Sequence, residues 1–555
     1  MLMDDIRRYT YGILIISLSI CFVACLISIR LGEEWENLGE LPEGYPPKPK
    51  EDHTIVIMNI PFVNRTDVPG HHFIPKPSWN EIKDSLPTIK EAGVDVIVIW
   101  GVYRHFVNVK VGKIEVQTGE GKVKLGPLKW ALCGVDYLTP DPERGGLNEF
   151  LDMVRAAHEL GIKVIGQLQI SLSVPGGFVY EKHPEWLLQS IHGGPAVQWP
   201  WIIFRHGFVV NKAHPELIRF ITEKVIPRWI EDWGLDGIYL DSPGMPYCDQ
   251  YIEELIEENG AARGFECLTP VHGYYDPEPL VKAMRAKIDD LEKKHGRRLI
   301  FAGEMTVKTW RDVPEDLLLN CIKGRDPFAF HRDPRVNRSL GEYFDWVLDY
   351  NFRGLLKYVY DGTLYSYSKS YVEALKKEFE LDGKVTELAR FVNMWGDFYK
   401  YAELLEPRVA GCYLTLTVTS PGRILWISAY QLPPQTEVLA KKFNYNMDLI
   451  RNWYERLIKI KRAYLALQSD NIEDALLEPL LPKLIAYNRW YGNQSVTVIV
   501  NGRDEHVTLK VKTRFKGEMI EAIDLLSGEI ICGEPENLSV TMPPFSARIL
   551  VKHND

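Results

Sequence analysis

The sequence predicts a (β/α)8 barrel with an insertion after its third strand, followed by a C-terminal all-β domain. Short apolar runs bounded by turn residues alternate with helical patterns over roughly 380 residues, as eight βα units require. Several of these helices pass through a glycine into the next apolar run, and beyond residue 470 the hydrophobic period changes to two. An open doubly wound sheet is the alternative, but no glycine-rich phosphate fingerprint follows the first strand.

Composition limits the class of protein. The chain has 555 residues, of which 46% are hydrophobic and 25% are charged, as is typical of globular proteins with about two or three domains. The net charge at pH 7 is −10. Binding to a phosphate backbone depends on clustered Lys and Arg, so we do not expect a nucleic acid as a partner.

The N-terminal segment predicts a membrane anchor. Residues 9–29 carry no charge and are numerous enough to cross a bilayer as one helix. Arg7 and Arg8 precede them and acidic residues follow, so residues 1–30 are interpreted as a cytoplasmic N-terminus plus anchor, with an extracytoplasmic body. A cleaved signal peptide is the alternative, although the stretch is long for one. Residues 31–52, rich in Pro and charge, are typical of an extended linker.

The predicted barrel spans residues 53–440. Its helices include residues 79–92, 147–160 and 215–233, and its eight strands are residues 54–60, 94–100, 163–170, 237–241, 299–304, 345–351, 388–394 and 424–428. Residues 171–211 form the insertion after the third strand. Residues 441–469 contain an amphipathic helix that completes the barrel, and residues 470–555 are predicted to form a β-sandwich.

Two consecutive predicted strands end in a carboxylate. Asp241 ends GIYLD, and Glu304 follows IFAG. Barrel enzymes hold their catalytic groups at the carboxyl ends of the strands, and burial of an unpaired carboxylate costs several kcal/mol. A helix N-cap or a structural ion pair is the alternative for either acid alone. On neighbouring strands the two carboxyl groups are expected about 5 Å apart, a spacing that suits retaining glycoside hydrolysis.

The order of these parts resembles the α-amylase superfamily, family 13 of the glycoside hydrolases, over residues 53–552. The run VDYLTPDPERGGLNEFLDMVRAAHELGIKVI, residues 135–165, is similar to that family's approach to its third strand. The insertion is similar to the family's domain B, and the terminal β domain ending PPFSARIL is similar to its domain C.

The resemblance also implies catalytic residues. In DGIYLD, Asp241 stands where the family has its nucleophile, and in AGEM, Glu304 stands where it has its general acid/base. FVNMWGD looks like a version of the seventh-strand motif that is one residue longer, which implies Asp397 as the third carboxylate. Asn393 is the alternative for that position.

Several family residues are replaced. Tyr239 stands two residues before the nucleophile position, where the family has an Arg. Gln167 and Ser171 stand where an Asp and a calcium-linked Asn would be expected, so no metal or other cofactor is predicted, with a calcium ion as the alternative. Three residues in or near the insertion are candidates for the missing positive charge, with solvated surface as the alternative: Arg205, His206 and Lys212.

Aromatic residues at predicted loop ends are candidate sugar platforms, because sugar rings stack on aromatic faces. A core position is the alternative for each of them. The predicted substrate contacts are Trp100, Tyr103, Trp199, Trp201, Trp310 and Trp395, together with Tyr239 beside the nucleophile position.

Two functions are compatible with this pattern. The first is a membrane-anchored retaining glycoside hydrolase or transglycosidase whose carbohydrate substrate is an α-linked glucan or oligosaccharide. The second is a catalytically silent ectodomain that binds glycan or a membrane partner, similar to the heavy chains of heteromeric amino-acid transporters. The replaced motif residues favour the silent form, whereas the retained strand-end acids favour the enzyme. Cys248 and Cys267 are expected either to pair across one loop or to remain buried thiols.

Overall fold

The computed structural model describes most of the body of the chain. The described residues are 56–60, 77–91, 93–105, 114–118, 121–125, 133–197, 207–244, 248–261, 271, 275–304, 307–323, 335–336, 340–363, 365–381, 388–392, 407–427 and 447–553. The predicted membrane segment at residues 9–29 and the linker at 31–52 lie outside them. Among the helices that are described, none combines the length and the apolar character needed to cross a bilayer.

A closed parallel barrel forms the first part of the fold. The strands up to residue 427 are β1 (Val56–Ile60), β2 (Val96–Ile99), β3 (Tyr103–His105), β4 (Ile114–Thr118), β5 (Gly121–Leu125), β6 (Gly134–Pro140), β7 (Lys163–Gln169), β8 (Leu172–Ser173), β9 (Phe208–Val209), β10 (Gly237–Asp241), β11 (Ile300–Gly303), β12 (Trp346–Asp349), β13 (Leu388–Val392) and β14 (Arg423–Ile427). Eight of them close in the order β1, β14, β13, β12, β11, β10, β7, β2. All eight predicted barrel strands are therefore confirmed.

The barrel strands β2, β7, β10 and β11 are largely apolar because both of their faces are buried. In β2, Val96 and Val98 belong to the cluster inside the barrel, whereas Ile97 and Ile99 belong to the larger cluster between the barrel and its helices. A strand covered on both sides gains burial energy from consecutive apolar residues rather than from alternate ones. This is why short uninterrupted Val and Ile runs predict parallel strands.

Helices surround the barrel. They are α1 (Trp79–Glu91), α2 (Leu147–Glu159), α3 (Phe178–Lys182), α4 (Pro215–Phe220), α5 (Gln250–Asn259), α6 (Glu278–His295), α7 (Glu315–Ile322), α8 (Tyr350–Asp361), α9 (Ser368–Leu381), α10 (Pro407–Thr419), α11 (Met447–Ala463) and α12 (Leu465–Gln468). Two π-helical segments, Ile221–Val225 and Arg228–Asp232, follow α4 on the way to β10.

The first helix shows how local sequence starts these elements. The Ser78 hydroxyl accepts from the Glu81 amide at 3.2 Å, and Glu81 Oε2 accepts from the Ser78 amide at 2.7 Å, which is a capping box. Ile82, Leu86 and Ile89 recur at helical spacing and are buried. The helix therefore begins at a side-chain cap and packs one apolar face on the barrel.

Two insertions lie at the carboxyl end of the barrel. After β7, strands β8 and β9 pair antiparallel and enclose α3, within the predicted insertion at residues 171–211. A second insertion follows β2, where β3 pairs with β6 and β4 pairs with β5. No strand is predicted between residues 100 and 147, and the structure shows two antiparallel pairs there.

The C-terminal domain is a sandwich of antiparallel strands. Its strands are β15 (Ile472–Asp474), β16 (Leu476–Glu478), β17 (Leu484–Tyr491), β18 (Gln494–Asn501), β19 (Val507–Val511), β20 (Ile520–Asp524), β21 (Ile530–Gly533), β22 (Leu538–Met542) and β23 (Ser546–Lys552). One sheet has the order β15, β17, β18, β23, β20, β21, and the other has the order β16, β19, β22. The prediction of a β domain from about residue 470 is confirmed.

Candidate active site

The two strand-end acids lie on neighbouring barrel strands. β10 and β11 pair in parallel, with Tyr239 opposite Ala302 and Leu240 opposite Gly303. The Glu304 amide then donates to the Leu240 carbonyl at 3.1 Å. This register brings Asp241 and Glu304 to the same level at the carboxyl end of the barrel.

The hydroxyl of Ser242 lies between the two carboxyl groups. Ser242 Oγ is 3.4 Å from Asp241 Oδ1 and 3.4 Å from Glu304 Oε2, so it can donate to either oxygen. Asp241 is 8% exposed, and Glu304 is half-buried. The pair is therefore close together, and Glu304 keeps the greater access to solvent.

Burial raises the pKa of Asp241 well above its ordinary value. The charge of Glu304 and a hydrogen bond between the two carboxyl groups raise this pKa further, whereas Ser242 and the charge of Lys212 lower it. A second carboxyl group this close therefore makes the ionisation of Asp241 harder.

A neutral amide contacts Asp241 from β7. Gln167 Nε2 donates to Asp241 Oδ2 at 3.0 Å, and Gln167 is only 2% exposed. Its Oε1 is buried and has no hydrogen-bond partner among the described residues. Gln167 thus supplies one hydrogen bond to the carboxylate without adding a charge.

Lys212 provides a buried cation next to this pair. Its ammonium donates to the carbonyls of Ser242, Pro243 and Gly244 at 2.8, 3.0 and 2.5 Å. Burial lowers the pKa of Lys212 to about 7, and the charge of Asp241 opposes that effect. Of the three basic candidates, Arg205 and His206 lie outside the described residues.

Three predicted contact residues are buried in cores. Tyr239 is 2% exposed and belongs to the cluster inside the barrel. Tyr103 is 1% exposed, stacks with Trp229 at a centroid distance of 5.7 Å, and accepts from the Gln169 amide. Trp310 is 1% exposed and packs with residues of α5 and α7. No ring face is open to a sugar at these positions, which corrects the prediction that they are substrate contacts.

Trp100 remains a candidate platform. It is half-buried at the end of β2 and packs against the cluster inside the barrel. Its carbonyl accepts from Arg144 Nη2 at 3.0 Å. The remaining predicted site residues lie outside the described residues: Asp397, its alternative Asn393, and the aromatic residues Trp199, Trp201 and Trp395.

The two residues at the family's third-strand positions, Gln167 and Ser171, bond to Asp241 and Ser242. The Gln167 amide group is directed at Asp241, and the Ser171 hydroxyl donates to the Ser242 carbonyl at 2.8 Å. Within the part of the chain that was searched, no group of three or more His, Cys, Asp or Glu side chains is arranged to hold a metal ion.

Sequence reasoning missed Ser242. The available signal was a hydroxyl residue directly after the strand-end acid in LDSPG, followed by residues typical of a turn.

Cys248, seven residues after Asp241, is disulfide-bonded. Cys267, its predicted partner, lies outside the described residues.

Comparison with known proteins supports this architecture. The family of maltogenic amylase C-terminal domains matches residues 475–549. The maltogenic α-amylase AmyB from Thermotoga neapolitana shares 15% identity and a TM-score of 0.61, covering 90% of this chain and 98% of that chain. The α-amylase from Geobacillus thermoleovorans, solved with acarbose, shares 13% identity and a TM-score of 0.61, covering 90% and 99%.

One curated protein is similar in sequence. It is the α-1,4-glucan:maltose-1-phosphate maltosyltransferase of Salinibacter ruber, 23% identical over 255 residues, which are 43% of this chain. The chain spans about a third of that relative, since the match covers 34% of its length. By fold, this is a barrel protein of the α-amylase type. The barrel, the insertion and the C-terminal domain that matches the maltogenic amylase family follow one another in that order along the chain.

Proposed function

We propose that this protein is a retaining glycoside hydrolase or transglycosidase acting on α-linked glucans or oligosaccharides. The observation that carries the proposal is the pair Asp241 and Glu304, which meet around the Ser242 hydroxyl at the carboxyl end of the barrel. Two carboxyl groups that lie close together, without the wider gap that an inverting enzyme leaves for a water, support displacement through a covalent intermediate. The maltosyltransferase and the α-amylases to which the chain is similar are consistent with an α-glucan substrate.

The chemistry needs one proton on the pair. Glu304, the more exposed carboxyl, gives its proton to the glycosidic oxygen as the bond to the anomeric carbon breaks. Asp241 attacks that carbon and forms a glycosyl ester. A water molecule then gives a proton to Glu304, and the water oxygen attacks the anomeric carbon. This step releases the sugar and regenerates the Asp241 carboxylate.

Neighbouring groups assist each half of this cycle. The Gln167 amide group and the Ser242 hydroxyl donate to Asp241 when it is ionised, which orients the attacking oxygen. Asp397 is the proposed third carboxylate, which would stabilise the oxocarbenium-like charge and hold sugar hydroxyls. In a transglycosidase a sugar hydroxyl replaces water in the second step.

Matched variants of the full-length chain test this proposal. Asp241→Asn and Glu304→Gln are expected to lower kcat on aryl α-glucosides and starch-like glucans by about 10² to 10⁴-fold or more, because each removes a group that reacts directly. Asp236→Asn is the control. Asp236 precedes the same strand at its opposite end and bonds His158 Nε2 and Arg297 Nη1, both at 2.7 Å. This control should retain kcat while it is folded.

The anomeric configuration of the first product and the activity of the wild type distinguish the two candidate functions and the two stereochemical mechanisms. NMR of the first product should show the α-anomer, and a β-anomer would exclude a retaining mechanism. Absence of turnover on the whole α-glycoside panel, with glycan binding equal in wild type and both variants, would support the silent ectodomain. The replacement of an Arg by Tyr239 favours that second candidate, because it removes a permanent charge beside the nucleophile position.

We further propose that residues 9–29 anchor the body outside the cytoplasm. The support is the uncharged stretch, the preceding arginines and the disulfide at Cys248, since disulfides persist in oxidising compartments. The full-length chain should stay with membranes after alkaline extraction, and protease added outside intact cells should digest the body. Release of a shortened soluble form would instead indicate a cleaved signal peptide.

A further inference from the structure

The segment after Asp241 is held by one buried ammonium group. Three consecutive carbonyls, of Ser242, Pro243 and Gly244, converge on Lys212 Nζ within 3.0 Å. Lys212 is 5% exposed and comes from the chain that leads into α4, far from this segment in sequence. Ser171, at the end of β7, also donates to the Ser242 carbonyl at 2.8 Å. Two elements therefore fix the carbonyl of one residue.

Ser242 requires this support because of its backbone conformation. Its φ is +47°, in the left-handed region, which costs a non-glycine residue about 1 to 2 kcal/mol. Such a conformation persists only where surrounding contacts over-determine it. The same conformation directs the Ser242 hydroxyl between Asp241 and Glu304.

We propose that Lys212 is a positioning residue for the catalytic pair: its ammonium fixes residues 242–244 and places a positive charge near Asp241. The inference rests on the proposed function and adds a residue to it. Lys212 takes no part in bond making, because its ammonium is occupied by three backbone carbonyls.

This role should be measurable as an effect of Lys212 on the ionisation of Asp241. The charge of Glu304 raises the pKa of Asp241, and the charge of Lys212 lowers it. Loss of the ammonium charge should therefore make Asp241 harder to ionise. Removal of a lysine with only a structural role would leave the pKa of Asp241 unchanged.

The chain contains a matched control. Lys461 is 2% exposed, and its ammonium donates to three carbonyls at and just beyond the end of α10, those of Val418, Ser420 and Gly422, at 2.9, 3.2 and 3.0 Å. It has the same chemistry as Lys212 but is absent from the groups that act on Asp241. Removal of either lysine leaves three buried carbonyls without that donor, so the two losses of stability should be similar.

The experiment is a carboxyl titration followed by ¹³C NMR in the full-length chain labelled with [4-¹³C]aspartate. The Asp241 signal is identified by its loss in Asp241→Asn. In Lys212→Met its midpoint should move up by about one pH unit, and in Lys461→Met it should not move. Lys212→Gln keeps amide donors for the carbonyls and should show the same upward shift, which covers a failure of Lys212→Met to fold. Lys212→Arg keeps the charge and should restore the wild-type midpoint.

Turnover gives the second readout. The acidic limb of kcat/KM should move in the same direction as the Asp241 midpoint. An Asp241 midpoint unchanged in both neutral Lys212 variants overturns the inference, even if the wild type is an active hydrolase. An upward shift in a chain that hydrolyses no α-glycoside refutes the proposed function and leaves the placement of the Lys212 charge standing.

Discussion

At the residue scale, the buried carboxyl group of Asp241 has few charged neighbours. Asp241 accepts from the neutral Gln167 amide group, lies beside Glu304 and receives opposing charge from Lys212. The guanidinium of the resembled family is replaced by Tyr239, whose side chain is buried inside the barrel. The chain therefore recruits its positive charge from another element, and that charge reaches Asp241 across a backbone segment.

The raised pKa of Asp241 predicts a pH-dependent cost to stability. Because folding raises this pKa, the unfolded chain ionises first as pH rises above about 4, and native stability is lost until pH passes the folded pKa. Asp241→Asn imitates the protonated form and has nothing to ionise. Its free energy of unfolding should therefore gain on the wild type with rising pH, by at most about 1.4 kcal/mol per pH unit.

Urea unfolding curves at pH 4, 5, 6 and 7 measure this difference. Glu304 is present in both proteins. Asp236→Asn, at the other end of the strand, is the reference for the loss of an aspartate. A difference between Asp241→Asn and wild type that is constant over this range would show that Asp241 is not destabilised by ionisation.

At the element scale, the site depends on how closely β10 and β11 approach. Gly237 begins β10, and a Cβ there would lie 2.0 Å from the Ile300 carbonyl oxygen. The absence of a side chain lets the strands pair with Gly237 opposite Ile300, and the register then carries through to the two acids. The glycine at the start of the strand thus helps to set the position of the carboxylates at its end.

The barrel strands are predictable from the sequence, whereas the roles of the aromatic residues are not. Each barrel strand is a short apolar run with a defined end, so the strands and the placement of Asp241 and Glu304 follow from pattern alone. Aromatic positions do not, because Trp310 and Tyr103 follow strands as a platform would, yet tertiary packing buries both. Proximity of Ser242 to both acids depends on backbone conformation, which periodicity does not encode.

The insertion after β2 was missed for a related reason. Residues 114–125, IEVQTGEGKVKL, alternate apolar and polar side chains around GEG, a pattern typical of a hairpin. The structure pairs Ile114 with Leu125 and Val116 with Val123. This alternation is short, and it differs from the longer alternation of strands and helices that predicts βα units.

At the scale of the whole molecule, the barrel and the C-terminal domain share a buried polar junction. The Ser368 hydroxyl, at the start of α9, donates to the Ala486 carbonyl at 2.7 Å and accepts from its amide at 3.0 Å. The hydroxyls of Thr419 and Tyr487 are 2.7 Å apart. Buried groups of this kind are costly when unpaired, so each domain stabilises the other.

Arg489 is the centre of this junction. It lies in β17, is fully buried, and donates to the Asn471 carbonyl at 2.8 Å and to the Leu467 carbonyl at 3.4 Å. It also donates to the carbonyls of Thr419, at the end of α10, and Ser469. One guanidinium group therefore joins the last barrel helices to the central sheet of the C-terminal domain.

Replacement of Arg489 by Met should lower the free energy of unfolding by roughly 3 kcal/mol or more, because several buried carbonyls lose their donor at once. Arg489→Lys keeps the charge but not the planar fork and should recover only part of the loss. Arg514→Met is the matched control: Arg514 pairs with Glu473 at the exposed surface of the same domain and should cost about 1 kcal/mol or less. Urea unfolding followed by circular dichroism measures all three. Equal losses in Arg489→Met and Arg514→Met would mean that the junction does not couple the domains, whereas a large loss in Arg489→Met alone would show that the C-terminal domain stabilises the barrel that holds the carboxyl pair.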